Sequence, residues 1–528
     1  MRQLILASLA IGRSLAAQAP PPAPPAPPAV QPVPPPPAPS PMLPPAARPR
    51  TTPLRGSLER RLAQLIDVPP FDRAQWGIYV VDDRGRVLYQ RDADRFHVPA
   101  SNTKLIVSAA ATVLLPPDYR VRTSVYVNGR VDGGVVDGDL VLYGRGDPTW
   151  SARCYAVDTL APGVCDSTFT AIDAIADSLR AHGVRRIAGK LVGDGSSFEP
   201  TLVHNGWNAW DLTWWYAAPV SGLGFHDNSV DFTITPGPAA DAPPVITWSP
   251  DLALFAFENR ARTVPADSSS TVGDNFFRKP GAWDIWAAGA IALGHKPLVE
   301  SVALPDPNLY AARALAASLV RKGVAIEGGA ASTTDSLAYR EARCCAPLVE
   351  YRGRPLPDII FPILNTSQNW FAEMLLKILG RELTGAGSWD AGLEVERRFL
   401  IDSVKIDSTT FALEDGSGLA AGNLVTPRAF AQLLAYMHRH PKRGPFLAAL
   451  PHASQPGSLL KRFVGTPLEG RVIAKTGSID RVNSLSGYIE RPDGRTITFS
   501  IQANAHSVPY ARMLAQIDSI VVEIGKTR

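Results

Sequence analysis

The chain has 528 residues, and 17 of its 49 prolines fall within residues 20–50, so a short proline-rich tract is attached to a sequence of ordinary composition. The formal charge of +4 comes entirely from Arg2, Arg13, Arg48 and Arg50, because residues 1–50 contain no acid; from residue 51 onward 49 basic and 49 acidic side chains balance. The basic balance is therefore no evidence for nucleic-acid binding, which needs positive charge clustered on the folded body, and no nucleic-acid partner is expected; 45% hydrophobic residues can build roughly two to four domains.

Residues 1–19 read as an export leader. Arg2 supplies charge, Leu4–Gly12 an apolar run, and Ala17-Gln18-Ala19 a small-residue cleavage site. Arg13 shortens the run and Pro20 follows the ideal cut, so cleavage after Ala17 is a rival. Residues 20–52 are expected to be a spacer of extended polyproline that packs no core. No later run reaches the ~18 apolar residues of a spanning helix. The expected location is the periplasm, with the body soluble or peripherally associated with membrane or wall.

The body opens with a helix near Ser57–Ile66 that Ser57 can cap. Alternation over Gly77–Val81 and Val87–Gln90, around Asp83-Arg84-Gly85-Arg86, predicts a β-hairpin. A buried helix then runs from about Ser101 to Leu115. Residues 118–346 mix short strands (Arg120–Val127, Asp139–Tyr143, Lys190–Gly193) with helices at Thr170–His182 and Pro307–Lys322. The segment 233–300, richer in Pro, Ala and Asp, is expected to form a further lobe. Helices follow at Ser367–Leu379, Ser388–Ile401 and Thr426–His438, the last with Pro427 in its first turn. Strands at Arg471–Lys475, Leu485–Glu490 and Thr496–Ala503 and a helix at Tyr510–Gly525 close the chain. This order predicts an α+β fold: one antiparallel sheet built from both chain ends and flanked by helices, with 53–117 and 347–528 forming its body and 118–346 inserted.

Cys154 and Cys165 close a 12-residue segment containing Pro162-Gly163 and are expected to pair in an oxidising compartment. Adjacent Cys344 and Cys345 rarely pair without strain. No cysteine spacing suits zinc and no HExxH is present, so neither a metal nor a cofactor is expected.

Three short motifs carry chemistry. Ser101 and Lys104 are three apart at a helix start, on one face. A serine hydroxyl becomes a nucleophile when a base removes its proton, and a lysine serves only if its pKa falls. Lys104 begins an apolar helix in a chain with 11 lysines against 42 arginines, which points to a partner or a task for the amine. Ser367-Gln368-Asn369 opens another helix and offers a hydroxyl and an amide; an ordinary cap by Thr366 or Ser367 is the plain alternative. Lys475-Thr476-Gly477-Ser478 ends a predicted strand, where the charge and hydroxyls can hold a carboxylate and the glycine lets a ligand approach. Each motif alone is common. Together and in this order they match the S-x-x-K, S-D-N and K-T-G set of penicillin-binding proteins and class A β-lactamases, with Gln368 at the Asp position. Asp415-Gly416-Ser417-Gly418 reads as a tight turn beside the site.

The 265 positions between Ser101 and Ser367 exceed what a compact β-lactamase holds. Over about residues 60–525 the chain resembles the D-alanyl-D-alanine carboxypeptidase/endopeptidase family, the low-molecular-mass class C penicillin-binding proteins. The segments that carry the likeness include Gly144–Pro148, Gly189–Phe198, Tyr216–Ser221 and Asp415–Leu419. The resemblance implies a transpeptidase-like, serine β-lactamase-like domain and peptidoglycan stem peptides as substrates, with β-lactams as inhibitors. It implies Ser101 as nucleophile and Lys104 as base. Ser367 and Asn369 would line the site, with Ser367 passing the proton to the leaving group, and Lys475 would keep Lys104 neutral. Thr476, Gly477 and Ser478 would bind the substrate carboxylate end, and Asp211 the diaminopimelate end. A serine β-lactamase or esterase of the same fold and a non-catalytic wall-binding protein are the alternatives.

Overall fold

The structure is a computed structural model that describes residues 57–151 and 168–527. The leader, the spacer and the Cys154–Cys165 pairing lie outside the described residues. Cys344 and Cys345 are exposed free thiols.

A five-stranded antiparallel sheet joins the two ends of the described chain. Its order is Val87–Arg91, Gln75–Val81, Thr496–Asn504, Val482–Glu490, Val472–Ile479. Gln75 faces Asn504 and Val81 faces Thr498, so the hairpin near the start pairs directly with a strand near the end. Period-two alternation gives each strand an apolar face. Trp76, Ile78 and Val80 share one face with Leu485, Ile489, Phe499 and Ile501. That face is covered by helices Leu58–Ile66 and Tyr510–Gly525, through Leu62, Ile66, Met513, Ile517, Ile520 and Ile524. Ser57 caps the first of these, accepting from the Arg60 N–H at 3.3 Å.

A second core holds helix Lys104–Leu114 against Leu356–Asn365, Asn369–Thr384 and Pro427–Arg439, with Ile106, Ile359, Ile363, Leu375, Leu434 and Met437 in contact. Residues 104–112 are buried without interruption, as expected of a helix apolar on every side and surrounded by others.

Between these elements runs a seven-stranded sheet. Arg120–Asp132 and Val135–Tyr143 form its antiparallel centre, and Val349–Pro355 pairs with Arg120–Asp132. Strands Arg186–Ile187 and Leu191–Asp194 add in parallel on the other side, followed by Ala325–Ile326 and Ala330–Thr333. Residues 229–303 form small two- and three-stranded sheets, which share an apolar core with this larger one.

Four local features depart from expectation. Ala100–Thr103 is a 3-10 turn, and the α-helix begins at Lys104 rather than Ser101, because Ala100 takes a left-handed backbone (φ 48°) and Thr103 Oγ1 donates to its carbonyl at 2.9 Å. Leu356–Asn365 is a helix despite two prolines; Pro357 lies in its first turn, where the missing N–H costs nothing. Helix Trp389–Arg398 runs on as a π-turn over Phe399–Val404. Strand Val472–Ile479 extends four residues beyond Lys475, since its hairpin closes only at Asp480-Arg481, with Arg481 left-handed at φ 57°.

Ile517 is fully buried between the last helix and the sheet. Ile517→Ala should cost about 2–5 kcal/mol, read as a lowered urea midpoint in far-UV circular dichroism.

Candidate active site

In a 3-10 turn residues i and i+3 lie one above the other. Ser101 and Lys104 therefore share a line, and Lys104 Nζ sits 2.8 Å from Ser101 Oγ. The amine also donates to Asn369 Oδ1 at 2.7 Å and to the Ser417 carbonyl at 2.6 Å. Three oxygens surround a nitrogen whose side chain is fully buried. As an ammonium it donates to all three. As a neutral amine it keeps two N–H bonds, to Asn369 and Ser417, and offers its lone pair to the Ser101 hydroxyl.

The second state is accessible near neutrality. Burial pulls the Lys104 ammonium down to about 7, against the opposing pull of the Asp415 and Glu373 carboxylates. Both acids are fully buried and well bonded. Asp415 accepts from the Gly418 and Ala420 N–H groups at 2.7 Å, from Asn423 Nδ2 at 2.8 Å and from the Trp207 indole at 2.9 Å. Glu373 accepts from the Ser417 N–H at 2.7 Å, the Gly416 N–H at 3.2 Å and the Trp389 indole at 2.8 Å. Burial and the neighbouring Asp415 raise the Glu373 carboxyl to about 7, and burial holds Glu396 behind it far above the usual carboxylate range. Gly418 lets this loop reach the turn: its φ is 79°, and a Cβ there would lie 1.9 Å from the Ala100 carbonyl oxygen.

Ser367, Asn369 and Lys475 close the site from two other elements. Ser367 is not a cap. It takes a left-handed backbone (φ 67°), and Gln368 caps the following helix through the Trp370 N–H at 2.9 Å. The turn aims Ser367 Oγ at Lys475 Nζ, 2.8 Å away. Asn369 Nδ2 donates to the Tyr216 carbonyl at 2.8 Å, which orients its oxygen toward Lys104. Lys475 is fully buried, and burial together with the Lys104 charge holds its ammonium well below the usual lysine range. Burial is the largest cause of the lowered Lys104 pKa, and the two ammonium groups oppose each other's charge, as the resemblance implies for Lys475.

Gly477 allows strand and turn to meet. A Cβ there would come 2.2 Å from Ser484 Oγ and 2.6 Å from the Pro99 carbonyl oxygen. Ser484 Oγ donates to that carbonyl at 2.7 Å, and Asn102 Nδ2 to Ser486 Oγ at 2.9 Å. Thr476 Oγ1 lies 3.2 Å from Ser458 Oγ, and Ser478 Oγ accepts from Asn483 Nδ2 at 2.9 Å. Asp211 is half-buried in a short 3-10 turn and accepts from the Tyr216 hydroxyl at 3.0 Å. It reaches the site only through that tyrosine, whose carbonyl holds Asn369. Sequence reasoning missed Glu373, the Ser417 carbonyl and the Tyr216 carbonyl. Only Glu373 left a sign, as a lone acid inside the apolar run after Asn369. Among the described residues no cluster of three or more His, Cys, Asp or Glu could hold a metal, and no helix is long and apolar enough to cross a membrane.

This fold is that of a penicillin-binding protein. Penicillin binding protein 4 of Haemophilus influenzae superposes with a TM-score of 0.74 over 88% of this chain and 98% of that one, at 20% identity. A second structure of it, complexed with a β-lactam, gives 0.67 over 89% of this chain and 99% of that one, also at 20% identity. Sequence is more specific. A model of the D-Ala-D-Ala carboxypeptidase 3 (S13) family matches residues 58–522, and the chain belongs to that family. It is 32% identical over 503 residues to a D-alanyl-D-alanine carboxypeptidase of Actinomadura sp. R39, covering 92% of this chain and 87% of the relative. It is 24% identical over 443 residues to the D-alanyl-D-alanine carboxypeptidase DacB of Haemophilus influenzae, covering 80% and 84%.

Because the Glu373 charge raises the Lys104 pKa, removing it should lower that pKa further. Acylation of Ser101 by a labelled penicillin should rise with pH through a midpoint near 7 in the wild type, and Glu373→Gln should move that limb to lower pH. Coincident profiles would show that Glu373 does not act on the amine.

Proposed function

We propose that this chain is a serine D-alanyl-D-alanine carboxypeptidase and endopeptidase that cleaves peptidoglycan stem peptides and their cross-links through an acyl-enzyme and is itself acylated by β-lactams. The observation that carries the reading is the Lys104 amine, buried and 2.8 Å from the Ser101 hydroxyl. Family membership supports it, as does the β-lactam complex of the Haemophilus influenzae protein.

In this reading the Ser101 oxygen attacks the carbonyl of the penultimate D-alanine while Lys104 Nζ takes its proton. Backbone N–H groups of Ser101 and Ser478 receive the developing oxyanion, a geometry worth about 2.7–4 kcal/mol per donor in other hydrolases. The leaving amine draws its proton through Ser367, which is hydrogen-bonded to Lys475. Thr476 and Ser478 hold the terminal carboxylate, and Gly477 keeps their strand close to the turn that carries Ser101. Once the proton taken from Ser101 has passed to the leaving amine, Lys104 is neutral again and takes a proton from the water that attacks the acyl-enzyme, returning it to Ser101 as the ester breaks. Asp211, next to Tyr216 at the border of the site, meets the free amine of diaminopimelate.

The domain reading is a catalytic body of 53–117 and 347–528 with 118–346 inserted and a further lobe near 233–300. Strand Val349–Pro355 pairs with Arg120–Asp132 of the inserted segment. The leader-like residues 1–19 support export to the periplasm, and a peptidoglycan substrate agrees with that location.

Labelled penicillin should attach to the wild type and not to Ser101→Ala, and only the wild type should release D-alanine from a pentapeptide or split a cross-linked dimer. Equal labelling of both proteins would exclude the mechanism. Rapid turnover of penicillin with no attack on muropeptides would make the chain a β-lactamase. Sacculus binding with unchanged muropeptides would make it a wall-binding protein.

A further inference from the structure

Between Ser367 and Asn369 lies a side chain with no part in the proton path. Gln368 is buried, and both ends of its amide are used. Its Oε1 accepts from the Trp370 N–H at 2.9 Å, and its Nε2 donates to Asp227 Oδ2 at 2.7 Å. Its backbone N–H donates to the Pro362 carbonyl at 3.0 Å. Asp227 comes from 141 residues earlier in the chain and is also fully buried.

The backbone that presents Asp227 is unusual. His226, Asp227 and Asn228 are all left-handed, with φ of 48°, 52° and 50°. A run of three such residues bearing Cβ atoms persists only where surrounding contacts over-determine it. Those contacts are present. Asn228 Oδ1 accepts from the Phe225 N–H at 3.1 Å, and its Nδ2 donates to the Pro219 carbonyl at 2.7 Å. The same Pro219 carbonyl receives the Trp370 indole at 3.1 Å. His226 Nε2 lies 3.0 Å from Asp231 Oδ2.

We propose that Asp227 is a positioning residue for the reaction at Ser101. Through Gln368 it fixes the left-handed turn at Ser367, and with it the Ser367 hydroxyl on Lys475 and the Asn369 carboxamide on Lys104. A carboxylate accepts, and an NH₂ group donates, so the contact has a single polarity. It forces the Gln368 oxygen onto the Trp370 N–H, because the flipped amide would oppose donor to donor there and oxygen to carboxylate at Asp227. The middle segment thus reaches the reacting groups from two directions, through Asp227 and through the Tyr216 carbonyl that orients Asn369. The proposal rests on the carboxypeptidase reading for its kinetic test and on geometry alone for its structural one.

The test is a polarity exchange, read by the rate of acylation with a fluorescent penicillin, by kcat and KM for D-alanine release, and by thermal melting. Gln368→Glu sets two carboxylates against each other and should slow acylation at least about a hundredfold, the scale of a small misplacement at a reacting centre. Adding Asp227→Asn gives the new carboxylate an amide donor, and the double variant should return to within about tenfold of wild type. Gln368→Met and Asp227→Ala remove the bond without a clash; both lose some thermal stability, and they should lower kcat more than they change KM and by more than that loss accounts for. These two variants decide the matter if Gln368→Glu fails to fold. Wild-type rates in both, or a double variant no better than Gln368→Glu, would overturn the proposal. A loss that follows melting temperature alone across the series would also overturn it. Crystal structures of wild type and Asp227→Ala provide a readout free of any substrate. The Ser367–Lys475 separation should grow past about 3.5 Å in the variant, and an unchanged contact would refute the proposal. Wild-type protein that neither labels nor releases D-alanine would instead refute the carboxypeptidase reading and leave the structural comparison to decide this one.

Discussion

An ammonium enclosed by protein loses its hydration, and partners must replace it. Lys104 meets that demand incompletely. Asn369, Ser417 and Ser101 satisfy its hydrogen bonds, while the compensating charges of Asp415 and Glu373 are spent largely on backbone N–H groups and indoles. The balance brings the amine to about 7, where both protonation states are populated. In the carboxypeptidase reading, a stronger ion pair would leave Lys104 permanently charged and useless as a base. A weaker one would leave it neutral but unable to keep the proton it accepts. Much of the surrounding architecture serves this balance: the helix buried on every side, the bonded loop Asp415–Gly418, and the glycine that lets that loop reach the Ala100 carbonyl.

The sheet matters for the same reason. Lys475 must enter the site from a strand, Lys104 from a helix and Ser367 from a turn, and hydrogen bonds of 2.8 Å tolerate little slack. The strand Val472–Ile479 is pinned to the Pro99–Asn102 turn by small residues, with Gly477 against Ser484 and Asn102 against Ser486. Larger side chains would part the two elements. The long middle segment is tied to the same place, since Tyr216 and Pro219 supply carbonyls to Asn369 and Trp370.

What could be read from the sequence was local. Ser57 as a cap, the hairpin around Gly85, and the helix Tyr510–Gly525 follow from patterns within a few residues, and the structure has them. The three motifs stand out because a resemblance collects them, not because any one is distinctive. What escaped depends on distant contacts. Ser367 is left-handed among partners more than a hundred residues away in the chain, and Gln368 takes the cap that the Ser367 hydroxyl suggests. Leu356–Asn365 hides behind two prolines because burial against other helices outweighs their low helix propensity. Carbonyl oxygens such as those of Ser417 and Tyr216 carry no side-chain signature at all. The Gln at position 368, a departure from the motif in sequence, has a physical reason in space: an Asp there would face the Asp227 carboxylate, whereas an amide donates to it.

The two lysines explain how one site can both take and return a proton. Each is fully buried, and each is lowered by burial, but only Lys104 has acids beside it to offset the loss. The two ammonium groups oppose each other, so the pair favours one positive charge over two. In the carboxypeptidase reading, the proton that Lys104 takes from Ser101 adds a second charge to the pair, and the repulsion favours releasing it to the departing amine. Ser367 Oγ, bonded to Lys475 Nζ, carries that release in this reading, and Lys104 is left neutral for deacylation. In the carboxypeptidase reading, deprotonating the nucleophile and protonating the leaving group become one electrostatic event. The 2.8 Å spacings at both lysines let that event proceed without moving the backbone.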